Sequence, residues 1–209
     1  MKDCAQVGIK ADLYQVEEEM ATQIYLETLV RKIAVTNVSG IIVQLPLPAG
    51  IDKDAIARYI PDALDVDGFK SSSPHYPCTP KGIVDYLERA HNYSFDSQHV
   101  VVIGRSDIVG RPMASMALER EATVTVCHSH TRDLQKILDT ADLVVCAVGK
   151  PKFLDVSKVK CPVIDVGINY DNGLCGDCYG EGNVTPVPGG VGLLTRLALI
   201  ENVLTDISN

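Results

Sequence analysis

The period of apolar and polar positions changes several times along this 209-residue chain. Over residues 1–39, Val16, Met20, Ile24, Leu29 and Ile33 recur at three-to-five spacing, the rhythm of a helix face, with Glu17, Glu18 and Glu19 at the early, dipole-favourable side. Residues 37–40 break the pattern. Ile41, Ile42 and Val43 then form a β-branched run expected as a buried strand, leaving through Gln44-Leu45-Pro46-Leu47-Pro48, where two prolines stiffen the exit. Asp52 is placed to cap a short helix over 53–60 that Pro61 ends, and Thr79 to cap another, with Pro80 in its first position, running to about residue 90. Beyond that point apolar runs at 100–103, 123–126, 142–148 and 162–166 alternate with helical stretches at 112–120 and 132–138, and a last helix covers 193–204. Such alternation predicts an α/β fold, a parallel sheet with right-handed crossovers.

The chain is organised around V-V-V-I-G-R-S-D-I-V-G-R-P-M at 100–113. A buried strand stops at Gly104 and a helix follows a short polar turn: strand, phosphate loop, helix. Gly104 and Gly110 suit a tight turn and a close backbone approach, and a helix start offers N–H donors and a positive dipole end. Ser106 stands where the usual G-x-G-x-x-G has its second glycine, so the loop alone is also compatible with an ordinary turn. A little over about 20 residues further on, where NAD-binding units place an acid on the ribose 2′-hydroxyl, the second strand ends in Cys127-His128-Ser129-His130. No carboxylate is there to repel a 2′-phosphate, and Arg105 and Ser129 could grip one. The pattern favours NADP over NAD, against the plainer reading of two solvated loop residues.

Composition narrows the classes. With 46% hydrophobic and 22% charged residues the chain has enough apolar surface for one large or two small cores. No apolar stretch reaches the roughly 18 residues of a membrane span, and Met1-Lys2-Asp3-Cys4 lacks a secretory signal's basic start and apolar core; a cytoplasmic location is the expectation. The net charge of −8, with no basic or aromatic-rich tract, argues against nucleic acid. Seven scattered cysteines read mainly as reduced buried thiols. Cys175-Gly-Asp-Cys178 has no second pair or nearby histidine pair to complete a zinc site, so no metal is expected.

Other candidates lie at element ends. Gln44, at the carboxyl end of a strand, is where open α/β sheets bind ligands, though it could simply satisfy neighbouring loop backbone. Asp65-Val66-Asp67-Gly68-Phe69 is either a paired-carboxylate site or a turn device. Ser71-Ser72-Ser73-Pro74 resembles a linker and suggests a domain boundary. Lys150-Pro151 and Ile168-Asn169 fall at strand ends, and T-P-V-P-G-G-V-G at 185–192 is a rigid loop poor in side chains.

Six motifs in order, G-I-I-V-Q-L-P-L-P at 40–48, D-V-D-G-F at 65–69, P-C-T-P-K-G at 77–82, G-R-S-D-I-V-G-R-P at 104–112, D-V-G-I-N at 165–169 and T-P-V-P-G-G-V-G at 185–192, make the chain resemble the bifunctional methylenetetrahydrofolate dehydrogenase/cyclohydrolase family. The resemblance implies two α/β domains with a cleft: a folate-binding catalytic domain from 1–73 plus 193–209, and a Rossmann-like NADP-binding domain from 74–192. It implies that Gln44 and Asp67 are catalytic, and that Val43, Gln44, Leu45, Asp67, Pro188, Gly189, Gly190, Val191 and Gly192 border a tetrahydrofolate derivative. It also implies that Gly104, Arg105, Ser106, Ser129 and Ile168 contact NADP, and that the protein is a homodimer. The implied reaction oxidises 5,10-methylenetetrahydrofolate and hydrolyses the methenyl product to 10-formyltetrahydrofolate.

The chain departs from the family in three places. Family members carry a further strand and helix at the amino end, the helix bearing a Tyr-x-x-x-Lys motif and ending in a Val-Gly that matches Val7-Gly8. Counted back, the lysine falls just before Met1, and Lys2 sits about 200° around a helix from it, which makes the hydrolytic step the doubtful one. Leu64 replaces the family's lysine before D-V-D-G, and Leu193-Leu194 replace Pro-Met. Two readings follow: an enzyme whose amino-terminal segment is truncated or lies upstream, or a non-catalytic folate- or dinucleotide-binding relative.

Overall fold

A computed structural model describes residues 1–208, with side chains described through Thr205; Asn209, the end of the expected first-domain segment, lies outside the described residues. The chain divides into two compact units, Met1–Tyr76 with Leu199–Asn209, and Pro77–Ala198.

The second unit is built on a four-stranded parallel sheet in the order β2-β1-β3-β5, with β1 His99–Ile103, β2 Thr123–Cys127, β3 Leu143–Cys146 and β5 Val163–Asp165. Val100, Val101 and Val102 are all fully buried, because a central parallel strand is covered on both faces and reads as an unbroken apolar run. On one face Val100, Val102, Leu143 and Val145 pack with Ile83, Val84 and Leu87 of α4 (Cys78–His91) and with Met113, Met116 and Ala117 of α5 (Gly110–Leu118). On the other, Val101, Ile103, Val144 and Cys146 pack with Leu138 of α6 (Leu134–Leu138) and with Leu154 and Val156. Leu154 belongs to β4 (Leu154–Asp155), which pairs with β8 (Cys178–Tyr179); β6 (Asn169–Tyr170) and β7 (Leu174–Cys175) make a small hairpin.

The strand–helix alternation is as expected, with shifted ends. Thr79 is not the cap of α4: the helix starts at Cys78, and the Thr79 hydroxyl lies 3.0 Å from that of Thr195. The α5 helix starts at Gly110, where Ser106 Oγ accepts the Gly110 N–H. The stretch from 132 shortens to α6 because Asp133 takes a left-handed φ of 52°. The last helix, α7, is longer than its pattern, Val191–Ser208.

The first unit is helical and irregular. Residues 1–39 are not one helix: α1 is Lys2–Gln6, a single 3-10 turn covers Glu18–Met20, and α2 is Gln23–Ala34. Thr22 starts α2 by accepting the Tyr25 N–H at 3.3 Å, so Val16 and Met20 precede the helix whose rhythm they seemed to share. Asp52 does cap its helix, accepting the N–H groups of Asp54 (2.9 Å) and Ala55 (3.2 Å). That helix, α3, covers only Lys53–Ala57, and the next turn tightens into i→i+3 bonds from Tyr59 to Ile56 and Ile60 to Ala57. The expected strand at 41–43 is also absent: the run has no ladder partner among the described residues, and Ile41 N–H donates to Leu64 O at 2.8 Å. An apolar β-branched run becomes a strand only where a neighbour supplies hydrogen bonds. Ile41 still anchors a small core with Val30, Ile56 and Ile60. Among the described residues no helix is long and apolar enough to cross a membrane.

Candidate functional site

In the second unit the strands run parallel, so the loops after β1, β2, β3 and β5 leave along one edge of the sheet. The chain passes from β1 to β2 on one side and returns to β3 on the other. The order therefore reverses between β1 and β3, the position where open α/β sheets form a ligand crevice.

Gly104 sits at that reversal. Its φ of +123° belongs to glycine, and a Cβ there would lie within 2.9 Å of the Ala147 carbonyl carbon, so the loops after β1 and β3 meet only because the side chain is missing. Gly104 N–H donates to Cys127 O (2.9 Å) and Ala147 N–H to Ile103 O (2.8 Å), which locks three strand ends together. Arg105 and Ser106 are exposed beyond Gly104, and Ser129 is exposed beyond the adjacent β2. The turn after β2 is closed by Thr131, whose Oγ1 accepts the His128 N–H at 2.8 Å and whose N–H donates to His128 O at 2.9 Å. Ile168, beyond β5, is 71% exposed. The order Ser129, Arg105, Ile168 spans three strand spacings, about 14 Å, along one edge.

The 188–192 loop leaves from the same edge. Val184 bridges Val163 in parallel fashion and Thr185 Oγ1 accepts the Asp165 N–H at 2.9 Å, which carries the chain past the end of β5. Pro188, Gly189 and Gly192 are exposed and Gly190 is half-buried, whereas Val191 is buried in the core at the start of α7. The Val191 side chain is therefore a packing anchor.

In the first unit, Val43 and Asp67 line one shallow pocket with Ile41, Lys53 and Phe69; Lys53 Nζ lies 4.9 Å from the Phe69 ring centre. The two acids of D-V-D-G-F have separate roles. Both line the pocket, but Asp65 is also the turn device, buried and accepting the N–H groups of Phe69 (3.1 Å) and Lys70 (2.8 Å), while Asp67 is half-buried. Gln44 is exposed at the mouth of the proline exit, its Nε2 donating to Leu45 O at 3.0 Å; Leu45 is half-buried.

Sequence reasoning passed over Asp177. It is fully buried and gathers the backbone N–H groups of Val148, Gly149 and Lys150 at the end of β3. The signal in the sequence is an acid between two short β runs, β7 and β8. The flanking cysteines, Cys175 and Cys178, are reduced, with Cys175 Sγ 3.8 Å from Asn169 O. The neighbouring Cys178 thiol, and then burial, push the Cys146 thiol far above its usual range. No cluster of metal-ligating side chains occurs among the described residues.

A glycine-held junction at the switch point of a parallel sheet, with hydroxyl and guanidinium groups at its rim, defines a Rossmann-like dinucleotide-binding protein. Residues 77–209 match the NAD(P)-binding domain of tetrahydrofolate dehydrogenase/cyclohydrolase, and residues 1–67 match the catalytic domain of the same enzymes. A bifunctional FolD protein of Agathobacter rectalis is 44% identical over 220 residues, covering 96% of this chain and 78% of the relative. The crystal structure of the FolD methylenetetrahydrofolate dehydrogenase/cyclohydrolase from Campylobacter jejuni superposes with a TM-score of 0.91 at 39% identity, covering all of this chain and 80% of that one. The Trypanosoma brucei enzyme, solved with NADP and an inhibitor, gives 0.90 at 32% identity, covering 99% and 79%. The chain belongs to the tetrahydrofolate dehydrogenase/cyclohydrolase family.

Proposed function

We propose that this protein oxidises 5,10-methylenetetrahydrofolate with NADP and hydrolyses the methenyl product to 10-formyltetrahydrofolate, and that it does so as a cytoplasmic homodimer. In this reading the first unit, with Val43, Gln44, Leu45 and Asp67, takes the folate. The second takes NADP through Gly104, Arg105, Ser106, Ser129 and Ile168, and its Pro188, Gly189, Gly190, Val191 and Gly192 loop borders the substrate.

The observation that carries the cofactor reading is the rim of the β1 and β2 ends. Arg105, Ser106 and Ser129 are exposed on neighbouring strand ends, and no acid occupies the turn at 128–131. That donor set suits a dianionic 2′-phosphate, for which a guanidinium supplies charge and a fork of donors. The space beside Gly149, where a Cβ would meet nothing within 4 Å, leaves room at the end of β3 for a ligand backbone. NADP, when bound, supplies the acceptor for two electrons and a hydrogen as hydride. The chain's share of this step is orientation: the glycine junction and exposed Ile168 offer a flat surface, and the two nitrogens flanking the methylene carbon share the positive charge left behind, so placement of two rings is the main demand.

Hydrolysis asks more. Water adds to the methenyl carbon and gives up one proton, leaving a neutral carbinolamine; its hydroxyl then loses the second proton as the carbonyl forms and the carbon–nitrogen bond breaks, while the ring nitrogen takes up a proton. Gln44, its amide oriented by Leu45 O, and Asp67 on the pocket wall are the groups this chain offers for holding that proton traffic.

The two steps are tested separately on purified protein, following methenyl formation from methylenetetrahydrofolate with NADP or NAD, then methenyl disappearance without cofactor. The expected result is NADP-dependent methenyl formation, with hydrolysis lowered by Gln44→Ala or Asp67→Asn. Absence of methenyl formation with either cofactor, in protein that binds neither folate nor NADP, would overturn the assignment.

A further inference from the structure

The end of β3 is held by a device that no cofactor contact accounts for. Asp177 Oδ2 accepts the N–H groups of Val148 (2.6 Å) and Gly149 (2.9 Å), and Oδ1 accepts Lys150 N–H (2.9 Å) and the Asn169 side-chain amide (2.8 Å). Beneath it lies a second carboxylate. Asp165, 3% exposed, accepts the N–H groups of Gly167 (2.9 Å) and of Asp177 itself (3.0 Å) on Oδ1, and that of Cys178 (2.9 Å) on Oδ2. The packing is close enough that a Cβ on Gly176 would come within 2.6 Å of the Asp165 carboxyl carbon.

Every one of these seven contacts is an N–H donating to a carboxylate oxygen. A carboxylate has lone pairs for all four donors around Asp177, whereas an amide of the same shape would turn an NH₂ group against two of them. The bonds are charge-assisted, roughly twice as strong as neutral ones, and six of the seven donors are backbone N–H groups, with no cation among them. What they fix is therefore the path of a loop. Val148, Gly149 and Lys150 follow β3 on one side of the switch point, and Asn169 sits next to exposed Ile168 beyond β5.

Resting on the proposed NADP reading, we infer that Asp177 is a positioning residue for the cofactor: it holds the loop after β3 and the residue beside Ile168 at a fixed spacing, so that both meet the dinucleotide without reorganising. Asp165 is the lower half of the same clamp and orients Asp177 through its backbone N–H. A preformed binding loop lowers the ordering cost that binding would otherwise carry.

The test is Asp177→Asn in the full chain, read by NADP dissociation constant, by the KM values for NADP and folate, and by thermal unfolding. The dissociation constant and KM for NADP should rise roughly tenfold or more, the size expected when charge-assisted bonds are lost, with folate KM within about twofold. A variant damaged only in stability would lower its melting temperature and leave NADP affinity of the folded fraction unchanged, which would overturn the inference. Asn169→Ala removes one donor without leaving a mispaired amide inside, and serves if Asp177→Asn does not fold. It should weaken NADP binding about threefold, with little change in melting temperature, and unchanged NADP binding in it would equally overturn the inference. Failure of the unmutated protein to bind NADP would overturn the cofactor reading itself, and with it this one. NADP binding that is intact in the parent and insensitive to both substitutions would overturn only the role of Asp177.

Discussion

The two units solve the same problem, how to hold functional groups at fixed points, by different means. In the second unit the groups stand at the ends of strands whose registers are fixed by continuous parallel ladders, and two apolar clusters fill both faces of the sheet. In the first, the buried residues Val30, Ile41, Ile56 and Ile60 form the cluster, no paired strand occurs among the described residues, and Leu13, Ile24, Val35 and Ile42 are exposed. Position there comes from turns: the Asp52 cap, the Asp65 clasp on Phe69 and Lys70, and the ion pair of Lys70 with Asp62. A ladder averages the error of each residue over many bonds, whereas a clasp depends on one carboxylate. The second unit should therefore be rigid throughout, and the first should be sensitive at single points and forgiving elsewhere.

That contrast is breakable. The largest effect is expected from Gly104→Val, which forces a β-branched side chain into a left-handed position against the Ala147 carbonyl. It should cost about 3 kcal/mol or more and abolish NADP binding, as measured by urea unfolding and cofactor titration. Next, Leu143→Ala and Ile56→Ala delete similar buried side chains, 0% and 1% exposed, from the sheet core and from the small core. The first should cost about 4 kcal/mol and the second about 2, because the smaller cluster can close around its cavity. Equal costs would show that the first unit is as tightly packed as the second. Third, Arg105→Ala should remove most of the preference for NADP over NAD, roughly 1.5–3 kcal/mol in the ratio of dissociation constants; a parent protein binding both cofactors equally would refute the premise.

The smallest effect concerns Tyr93. Its buried hydroxyl has no hydrogen-bond partner among the described residues, and its ring packs edge-on against Phe95 at 5.0 Å between centres. Tyr93→Phe keeps the ring contact and should be neutral or stabilising by up to about 1 kcal/mol near neutral pH. Burial, with the Asp142 carboxylate nearby, pushes the phenol from 10.0 up to about 12. A group with a raised folded value contributes in full below pH 10 and loses that contribution as pH climbs from 10 towards 12, since the unfolded phenol ionises first. Alkaline unfolding curves of the parent should thus fall more steeply in that window than those of Tyr93→Phe.

Much of the second unit was legible in the residues because its signals are local. The run of valines before Gly104 can only be a strand covered on both faces, and the break to a helix follows within a few residues. That Arg105 and Ser129 stand at neighbouring strand ends could be read because β1 and β2 are consecutive and adjacent. The first unit was harder for a physical reason. Ile41, Ile42 and Val43 have the pattern of a strand, but pattern does not reveal whether a neighbour is there to bond. Val16 and Met20 repeat at helical spacing, but Thr22 restarts the chain after them. Thr79 has the chemistry of a cap, yet Thr195, far along the sequence, competes for its hydroxyl. Asp177 was missed for the same cause, since its partners lie in loops that the sequence separates by some 27 to 29 residues.

The division of the chain also bears on the order in which it is assembled. The second unit is continuous from Pro77 to Ala198, but the first is completed only by the segment from Leu199 onward, where Asn202, 1% exposed, donates its side-chain amide to Val66 O at 2.8 Å. During synthesis from the amino end, residues 1–76 therefore emerge first and finish last. Until the end of α7 is made, the D-V-D-G-F turn is without the Asn202 amide, while the intervening 122 residues already include both apolar clusters of the sheet. The usual vectorial order, amino-terminal unit first, does not describe this chain fully: the nucleotide unit has all of its residues while the first unit still awaits the Asn202 amide.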